Sequence, residues 1–220
     1  MQQINGEANE SQRTPEWYAQ RLGRFSCSQF FRLMTDPKLK ADKEAGNLSD
    51  GAMTYVYECV AEKLTGKKAK EDFTSKYTEW GIDNEPIAKT IYNEVFNVKI
   101  EDSSYIEYEN NAGGSPDGLV NDDGIVEIKC PFTITSHLEH KLEKLEDIGR
   151  REYYWQCLGY LLITGRRWID FISYSPNYPG KLQLVKQRLT YAECEADINR
   201  LKSKIIKANQ ILTEILNKIK

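Results

Sequence analysis

Three ionisable side chains lie close together in the middle of the chain, on either side of a tight turn. Asp117 follows a Ser-Pro pair, and Glu127 and Lys129 form an E-x-K pattern that a Cys-Pro pair closes. An Asp-Asp-Gly turn separates the two stretches, which predicts an antiparallel hairpin with Asp117 almost opposite Glu127. Facing residues in such a pair have Cβ atoms about 5 Å apart. Because strand side chains alternate between faces, Glu127 and Lys129 share one face.

Two carboxylates that face each other in a half-buried sheet repel unless a cation neutralises them. Mg²⁺ binds a few carboxylate or carbonyl oxygens and keeps its other positions for water and phosphate oxygens. Lys129 beside it can hold the scissile phosphate, or orient and deprotonate the attacking water. The pattern therefore favours metal-dependent phosphodiester hydrolysis. For a bare E-x-K the preferred alternative is a structural ion pair of Lys129 with Asp117 or Glu127.

Helices and strands must position this hairpin, and local signals predict where they lie. A Thr-Pro start, an S-x-x-Q capping box at Ser26 and apolar periodicity indicate helices before the hairpin. The segment 36–47 is predicted to be a mobile loop, and Pro86 is predicted to kink its helix or break it at Asn84. The predicted helices are 14–22, 26–34, 49–65, 76–96, 135–145, 153–163 and 190–220, and the other predicted strands are 104–109, 168–174 and 182–188.

This order predicts an α/β or α+β fold with a central mixed sheet flanked by helices. The length of 220 residues suggests a single domain, with 1–12 as a disordered lead and 190–220 as a closing helix. No run approaches the ~20 apolar residues of a membrane span, and the polar start has no signal-peptide core, so we expect a cytoplasmic protein that binds no membrane. The five cysteines form no C-x-x-C pair, which disfavours a zinc site and an iron–sulfur cluster.

The formal net charge of −3 argues weakly against a nucleic-acid partner, but its distribution is uneven. Residues 10–43 include seven basic and four acidic residues, which gives this segment a net charge of +3. Residues 199–220 include six basic residues and one acidic residue, which gives a net charge of +5. Both ends could therefore face a polyanion, although a solvated charged surface is the simpler interpretation of either run alone.

Five blocks of the sequence resemble the PD-(D/E)xK nucleases, and more narrowly the lambda-exonuclease-like, YqaJ-type viral recombinases. They follow one another in the family's order between Trp17 and Tyr160. The blocks are 17–28 (WYAQRLGRFSCS), Trp80-Gly81 with Glu85 and Ala88, 114–118 (GSPDG), 127–131 (EIKCP), and 154–156 (YWQ) with Tyr160.

The resemblance implies a restriction-endonuclease-like fold and a role for each matching residue. Metal binding is implied for Asp117, Glu127, the main-chain carbonyl of Ile128 and, nearby, Glu85. Catalysis is implied for Lys129, with Gln156 packed beside it. The terminal 5′-phosphate of DNA is implied to bind Arg21 and Ser28, with the N–H groups from Ser26 to Gln29 at a helix start adding donors.

The implied activity is a Mg²⁺-dependent 5′-to-3′ exonuclease, with Mn²⁺ expected to substitute, that acts on double-stranded DNA ends and leaves a 3′ single strand. Such enzymes of phage recombination work as ring-shaped homotrimers with a single-strand annealing protein, here in the cytoplasm of a bacterial host. A RecB-like nuclease or a structure-specific endonuclease of the same superfamily is an alternative, and a non-catalytic DNA-binding recombination protein is an alternative from another class.

Two aromatic residues and two histidines are further candidates for a functional role. Tyr77 or Trp80 is a candidate wedge that unstacks the terminal base pair. His137 and His140 have the i, i+3 spacing of a metal pair, but without an evident Glu or Cys partner they are predicted to be surface residues.

Overall fold

The computed structural model describes residues 14–70, 75–149 and 151–219, so the predicted lead at 1–12 lies outside the described residues. A group of helices precedes five consecutive strands, and further helices and strands follow toward the C-terminus. The helices are α1 (Pro15–Arg21), α2 (Lys40–Glu44), α3 (Asp50–Thr65), α4 (Lys76–Phe96), α5 (Ile134–Leu142), α6 (Glu152–Thr164) and α7 (Glu195–Ile219). The strands are β1 (Phe25–Ser26), β2 (Ile100–Glu101), β3 (Ile106–Tyr108), β4 (Ala112–Gly114), β5 (Gly118–Val120), β6 (Gly124–Lys129), β7 (Trp168–Tyr174) and β8 (Leu184–Thr190).

The described strands form two sheets. A five-stranded sheet has the order β2-β5-β6-β7-β8, in which only the β6–β7 pair is parallel. A three-stranded sheet has the order β1-β4-β3, with β1 and β4 parallel. The mixed α/β fold class predicted from the sequence is therefore confirmed, but the predicted strand at 104–109 lies in the small sheet and not in the large one.

The two faces of the large sheet are covered by different helices, which follows from strand alternation. Ile125 of β6 packs into the larger core with α3, α6, α7 and the short 3₁₀ helix at Cys27–Arg32. Its neighbours Val126 and Ile128 point to the opposite face, where they pack against Ala88 and Tyr92 of α4. Odd-numbered positions of β6, including Glu127 and Lys129, therefore share the face that α6 covers.

Helix α3 shows how local signals set the element boundaries. The Ser49 side chain accepts a hydrogen bond from the Ala52 N–H, which satisfies a donor at the helix start. Gly66 ends the helix with a left-handed φ of 66°. Both ends agree with the prediction from the sequence. Of the predicted apolar stripe, only Leu64 is exposed.

The predicted break at Asn84 is wrong, because α4 continues through Pro86 to Phe96. The Asn84 side chain turns back into the helix and donates to the Trp80 carbonyl, 2.9 Å away. The apolar pattern of this helix predicts a core face of Trp80, Ile82, Ile87, Ala88, Ile91 and Val95. This prediction is wrong in part, because Ile82, Ile87 and Val95 are exposed and the buried residues are Asn84, Ala88 and Tyr92. Tyr92 fixes this rotation, since its hydroxyl donates to the buried Asp170 carboxylate at 2.8 Å.

The predicted helix at 26–34 is instead a 3₁₀ helix, Cys27–Arg32, and in the described structure the Ser26 side chain makes no capping hydrogen bond. The cause is tertiary. Ser26 belongs to β1, where it pairs with Gly113, and its N–H donates to the Tyr55 hydroxyl at 2.9 Å. The predicted loop at 36–47 also contains a short helix, α2.

The two histidines lie inside the protein, contrary to the prediction of a surface position. His137 and His140 of α5 are buried, and the Nδ1 atom of each lies 2.9 Å from the Ser173 hydroxyl oxygen on β7. Together they fasten α5 to the large sheet.

Helix α7 has a continuous buried stripe that begins at Ile198 and ends at Leu212. Part of its basic surface contacts the N-terminal segment, because Arg200 donates to Asp36 and Lys204 to the Asn47 carbonyl. Among the helices of the described ranges, none combines the length and the apolar character that crossing a bilayer needs.

Candidate active site

The β5–β6 hairpin brings the two predicted acidic residues together. Gly118 pairs with Val126, so Asp117, one residue earlier, continues this register opposite Glu127. The Asp117 side chain is held by the strand that it faces, because its Oδ2 accepts a hydrogen bond from the Ile128 N–H at 2.7 Å. This main-chain bond fixes the carboxylate at the end of the hairpin.

Glu127 is almost fully buried, with 1% of its surface exposed, and its two oxygens differ. Its Oε1 accepts from Lys129 Nζ at 2.5 Å and from Gln156 Nε2 at 2.6 Å. Its Oε2 has no hydrogen-bond partner among the described residues. A buried carboxylate oxygen without a protein partner is costly, so Oε2 is suited to bind a cation.

Gln156 donates to the same Glu127 oxygen as Lys129, so its side-chain amide lies close to the lysine. Its side-chain nitrogen donates to Glu127 and also lies 3.1 Å from the Tyr160 hydroxyl. The Tyr160 hydroxyl in turn donates to the Ser115 carbonyl at 3.0 Å. Residues 156 and 160 lie one turn apart on α6, so the Q-x3-Y spacing places both side chains on one helix face toward the hairpin.

Asp117 and Glu127 are two carboxyl groups buried close together, and both have raised pKa values. Burial raises the pKa of Asp117 well above its usual value, and the charge of Glu127 raises it further. Burial also raises the pKa of Glu127, while Lys129 opposes this increase. For Lys129 burial lowers the pKa, but the charges of Glu127 and Asp117 outweigh it and leave the pKa above its usual range. The lysine is therefore held as an ammonium group, with 28% of its side chain exposed.

These groups fit a hard divalent cation. Asp117 and Glu127 supply carboxylate oxygens, of which Glu127 Oε2 is buried and has no partner among the described residues. A positive ion between the two carboxylates would favour their charged forms and so oppose the increase of their pKa values by burial. Within the described ranges no three His, Cys, Asp or Glu side chains converge as a metal cluster. An ion here would therefore take its other ligands from the main chain, water or substrate, as Mg²⁺ commonly does.

Glu85 of α4 lies close enough to this pair to act on both carboxyl groups electrostatically. Its charge contributes to the raised pKa values of Asp117 and Glu127. Its Oε1 lies 3.4 Å from Lys89 Nζ, one turn later on the helix. The uninterrupted α4 keeps Glu85 at the edge of the site, where it adds negative charge.

The predicted phosphate-binding residues also come together. Arg21 Nη2 lies 3.5 Å from Ser28 Oγ, and the hydroxyl oxygens of Ser26 and Ser28 are 3.2 Å apart. The Ser26 N–H is already used by Tyr55, so side chains and not that main-chain donor would bind an anion. Gly23 makes the turn between Arg21 and β1, with a φ of 68° and no room for a Cβ beside Lys63.

The three-stranded sheet connects the predicted phosphate-binding residues to the Asp117–Glu127 pair. Ser26 of β1 pairs with Gly113 of β4, four residues before Asp117. A second link is Trp17 of α1, whose Nε1–H donates to Ser115 Oγ at 2.9 Å. The sequence reasoning did not single out Ser115. Its position directly before Pro-Asp in the GSPDG block was the one available signal.

An aromatic cluster, which we define as Tyr77, Trp80 and Phe132, lies on α4 and just after β6. The rings of Tyr77 and Trp80 both make edge contacts with Phe132, with centroids 4.9 Å and 5.7 Å away. Tyr77 is 55% exposed, whereas the indole nitrogen of Trp80 is buried. Of the two wedge candidates, Tyr77 is the more exposed, because Trp80 is half-buried.

Known proteins of similar structure are exonucleases. An alkaline exonuclease, LHK-Exo, from Laribacter hongkongensis superposes with a TM-score of 0.68 at 27% identity, covering 94% of this chain and all of the other. The same protein is known in complex with dAMP, with the same values. A phage-related exonuclease from Haemophilus somnus 129PT has a TM-score of 0.73 at 23% identity, with coverage of 90% and 96%, and supports the PD-(D/E)xK-like fold.

A comparison with curated protein sequences gives no significant match. A family model matches residues 16–167, a range that holds the predicted phosphate-binding residues, the hairpin and the Q-x3-Y helix. The match covers well over half of the chain. The protein therefore belongs to the family of the YqaJ-like viral recombinase domain.

Proposed function

We propose that this protein is a Mg²⁺-dependent exonuclease that degrades one strand of double-stranded DNA from a 5′-phosphorylated end in the 5′-to-3′ direction. The observation that carries the proposal is the buried Asp117–Glu127 pair, with one unpartnered oxygen and an adjoining lysine, beside a cluster of arginine and serine side chains. The names of the structural neighbours, an alkaline exonuclease and a phage-related exonuclease, support a nuclease. The dAMP complex of LHK-Exo supports a nucleotide as the ligand.

Asp117, Glu127 and the Ile128 carbonyl would hold the metal, with Glu85 nearby and Mn²⁺ able to replace Mg²⁺. When bound, the metal stabilises negative charge on the scissile phosphate and lowers the pKa of a bound water. Gln156 keeps Glu127 oriented through its 2.6 Å hydrogen bond. Lys129, which its neighbours hold protonated, donates to a non-bridging phosphate oxygen and orients the attacking water.

Specificity for a DNA end comes from Arg21, Ser28 and Ser26. A terminal 5′-phosphate has the charge and oxygen acceptors that an arginine and two hydroxyls recognise. An interior phosphodiester carries less negative charge and one fewer non-bridging oxygen, so it would make fewer such contacts. Degradation from this end leaves a 3′ single strand, which a single-strand annealing protein would receive. A homotrimeric ring around the DNA in the cytoplasm of a bacterial host would make degradation processive.

Strand separation is assigned to Tyr77. Its exposed ring is braced by Phe132, and Lys76 Nζ lies 5.1 Å from the Phe132 ring centroid. An aromatic face can stack on a terminal base and compensate for its lost base-pair stacking.

The decisive experiment compares linear and covalently closed circular duplex DNA. With Mg²⁺, the protein is expected to degrade 5′-phosphorylated linear duplex and leave circles intact, and EDTA should stop the reaction. Lys129→Ala should abolish cleavage while DNA binding persists, whereas Lys202→Ala, on the exposed side of α7, should not change the rate. Cleavage of circles would indicate an endonuclease, and binding without cleavage by the wild type would indicate a non-catalytic DNA-binding protein.

A further inference from the structure

A chain of side-chain contacts joins Arg21, the predicted phosphate-binding residue, to the pair of carboxylates at Asp117 and Glu127. On the phosphate side, the Arg21 guanidinium stacks over the Trp17 ring, 4.2 Å from its centroid. The edge of the same ring donates to Ser115 Oγ at 2.9 Å. Residues 17 and 115 are 98 positions apart, so this contact exists only in the folded protein.

From Ser115 the contacts continue to the acidic pair. The Ser115 carbonyl accepts from Tyr160, the Tyr160 hydroxyl contacts Gln156, and Gln156 donates to Glu127, at 3.0, 3.1 and 2.6 Å. Along the main chain, Ser115 is also only two residues from Asp117. Ser115, which accepts a hydrogen bond from Trp17, is therefore connected to Asp117 through the main chain and to Glu127 through Tyr160 and Gln156.

We propose that Trp17 is a positioning residue that couples binding of the 5′-phosphate at Arg21 to alignment of Asp117 and Glu127. A terminal phosphate would then raise the rate of cleavage as well as the affinity for DNA. This inference rests on the proposed function and adds a specificity-determining role for an uncharged residue that touches neither metal nor phosphate.

The packing around Ser115 explains why a small displacement would matter. Ser115 is 4% exposed, and the preceding Gly114 has no room for a Cβ, which would lie 2.6 Å from Cys27 Sγ and 2.9 Å from Tyr160. A segment packed this closely moves with its neighbours. When bound phosphate fixes Arg21 and the Trp17 ring beneath it, the indole N–H fixes Ser115, and with it the start of the Asp117 segment.

Trp17→Phe tests the coupling, because it keeps a ring under Arg21 and removes only the indole donor and part of the ring. We would measure single-turnover rates at saturating DNA, and half-saturating DNA concentrations, for ends with 5′-phosphate and with 5′-hydroxyl. The wild type is expected to cleave 5′-phosphorylated ends faster. In the variant this rate should fall about 3- to 10-fold, the scale of one lost neutral hydrogen bond. The 5′-hydroxyl rate and the half-saturating concentration for 5′-phosphate should change little.

Two further variants separate coupling from a general loss of structure. Ser115→Ala removes the acceptor of the same hydrogen bond, so it should match Trp17→Phe, and the double variant should be no worse than either. Tyr18→Phe changes the neighbouring ring on α1 and serves as the control with wild-type rates. Arg21→Ala should instead raise the half-saturating concentration for 5′-phosphorylated DNA.

Hydrogen exchange without any divalent metal gives a second readout that does not depend on activity. A short 5′-phosphorylated duplex should increase protection of residues 113–118 in the wild type and not in Trp17→Phe, relative to the 5′-hydroxyl duplex. Equal rate losses at both kinds of end, or additive effects of the two substitutions, would overturn the coupling while leaving the exonuclease proposal intact. A wild type that prefers neither end would overturn the coupling together with the proposed phosphate site.

Discussion

Acidification is expected to destabilise the protein through His140, one of its two histidines. The His137 Nε2 lies 2.9 Å from the Leu182 carbonyl, which only accepts, so this nitrogen carries the hydrogen in the tautomer that we assign. Neutral His137 then accepts from the Ser173 hydroxyl at Nδ1, and the same hydroxyl oxygen accepts from His140 Nδ1–H. The network is satisfied with both rings neutral.

Burial, together with the smaller effects of His137 and Lys129, lowers the pKa of His140 from 6.5 to about 4. The ring is 3% exposed, and its other close neighbours are the aromatic rings of Tyr153 and Phe171. At about 1.4 kcal/mol per pKa unit, this difference corresponds to about 3 kcal/mol.

The sign follows from proton binding. Between pH 6.5 and 4 the unfolded chain binds a proton at this position and the folded chain does not, so the free energy of unfolding falls as the pH falls. About 2 kcal/mol is expected to be lost at pH 5 relative to pH 7.5, and the full amount below pH 4. Lowering of the His137 pKa, again mainly by burial, acts in the same direction. The raised pKa values of Asp117 and Glu127 act in the opposite direction.

Comparison with a variant isolates the His140 contribution, because the carboxylates are common to both proteins. We would measure urea unfolding of the wild type and of His140→Gln at pH 7.5 and pH 5.0. The stability advantage of the wild type should shrink by about 2 kcal/mol at the lower pH. An advantage that stays the same at both pH values would refute the reasoning. If the variant does not fold, NMR titration of the two histidine rings decides, since a His140 pKa near 6.5 contradicts the burial argument.

Three other perturbations test the site and its support. Mg²⁺ at about 100 times its Kd should stabilise the wild type by about 2.7 kcal/mol in thermal unfolding, and Glu127→Gln should lose this effect; an equal shift in both proteins would remove Glu127 from the metal site. Arg188→Ala should cost about 3–5 kcal/mol in urea unfolding, because Asp170 is fully buried and accepts two hydrogen bonds from Arg188 at 2.6 and 2.8 Å. A loss below about 1 kcal/mol would show that Lys186 and Tyr92 suffice to stabilise the buried Asp170 carboxylate. Tyr77→Ala should slow degradation of blunt duplex several-fold and spare a duplex with frayed ends, and equal slowing of both would exclude a wedge.

Much of the hairpin was predictable because its signals are local. The Asp-Asp-Gly turn and the strand alternation predicted the pairing that places Asp117 opposite Glu127, and the register of β5 and β6 agrees. Capping residues predicted both ends of α3, and the bounds of α4 and β7 agree with the apolar patterns. The family resemblance and the α/β class are confirmed by the match at 16–167 and by the neighbouring structures.

The errors arose where a distant partner decided the local structure. The S-x-x-Q signal at Ser26 favoured a capped helix, but pairing of β1 with β4 and the Tyr55 hydroxyl use the same groups. The spacing of His137 and His140 indicated nothing about Ser173, which lies 36 and 33 residues away and makes both rings part of the core. Pro86 is tolerated in a helix whose rotation is fixed by the Tyr92–Asp170 hydrogen bond.

The sequence by itself therefore determined which residue types could perform the chemistry and the strand pairing that makes two carboxylates face each other, because turns and alternation act over a few residues. Only the tertiary structure decided that Gln156 holds Glu127 and that Trp17 reaches Ser115. These contacts join positions 29 and 98 residues apart, and they exist because the small sheet and α6 converge on one end of the hairpin.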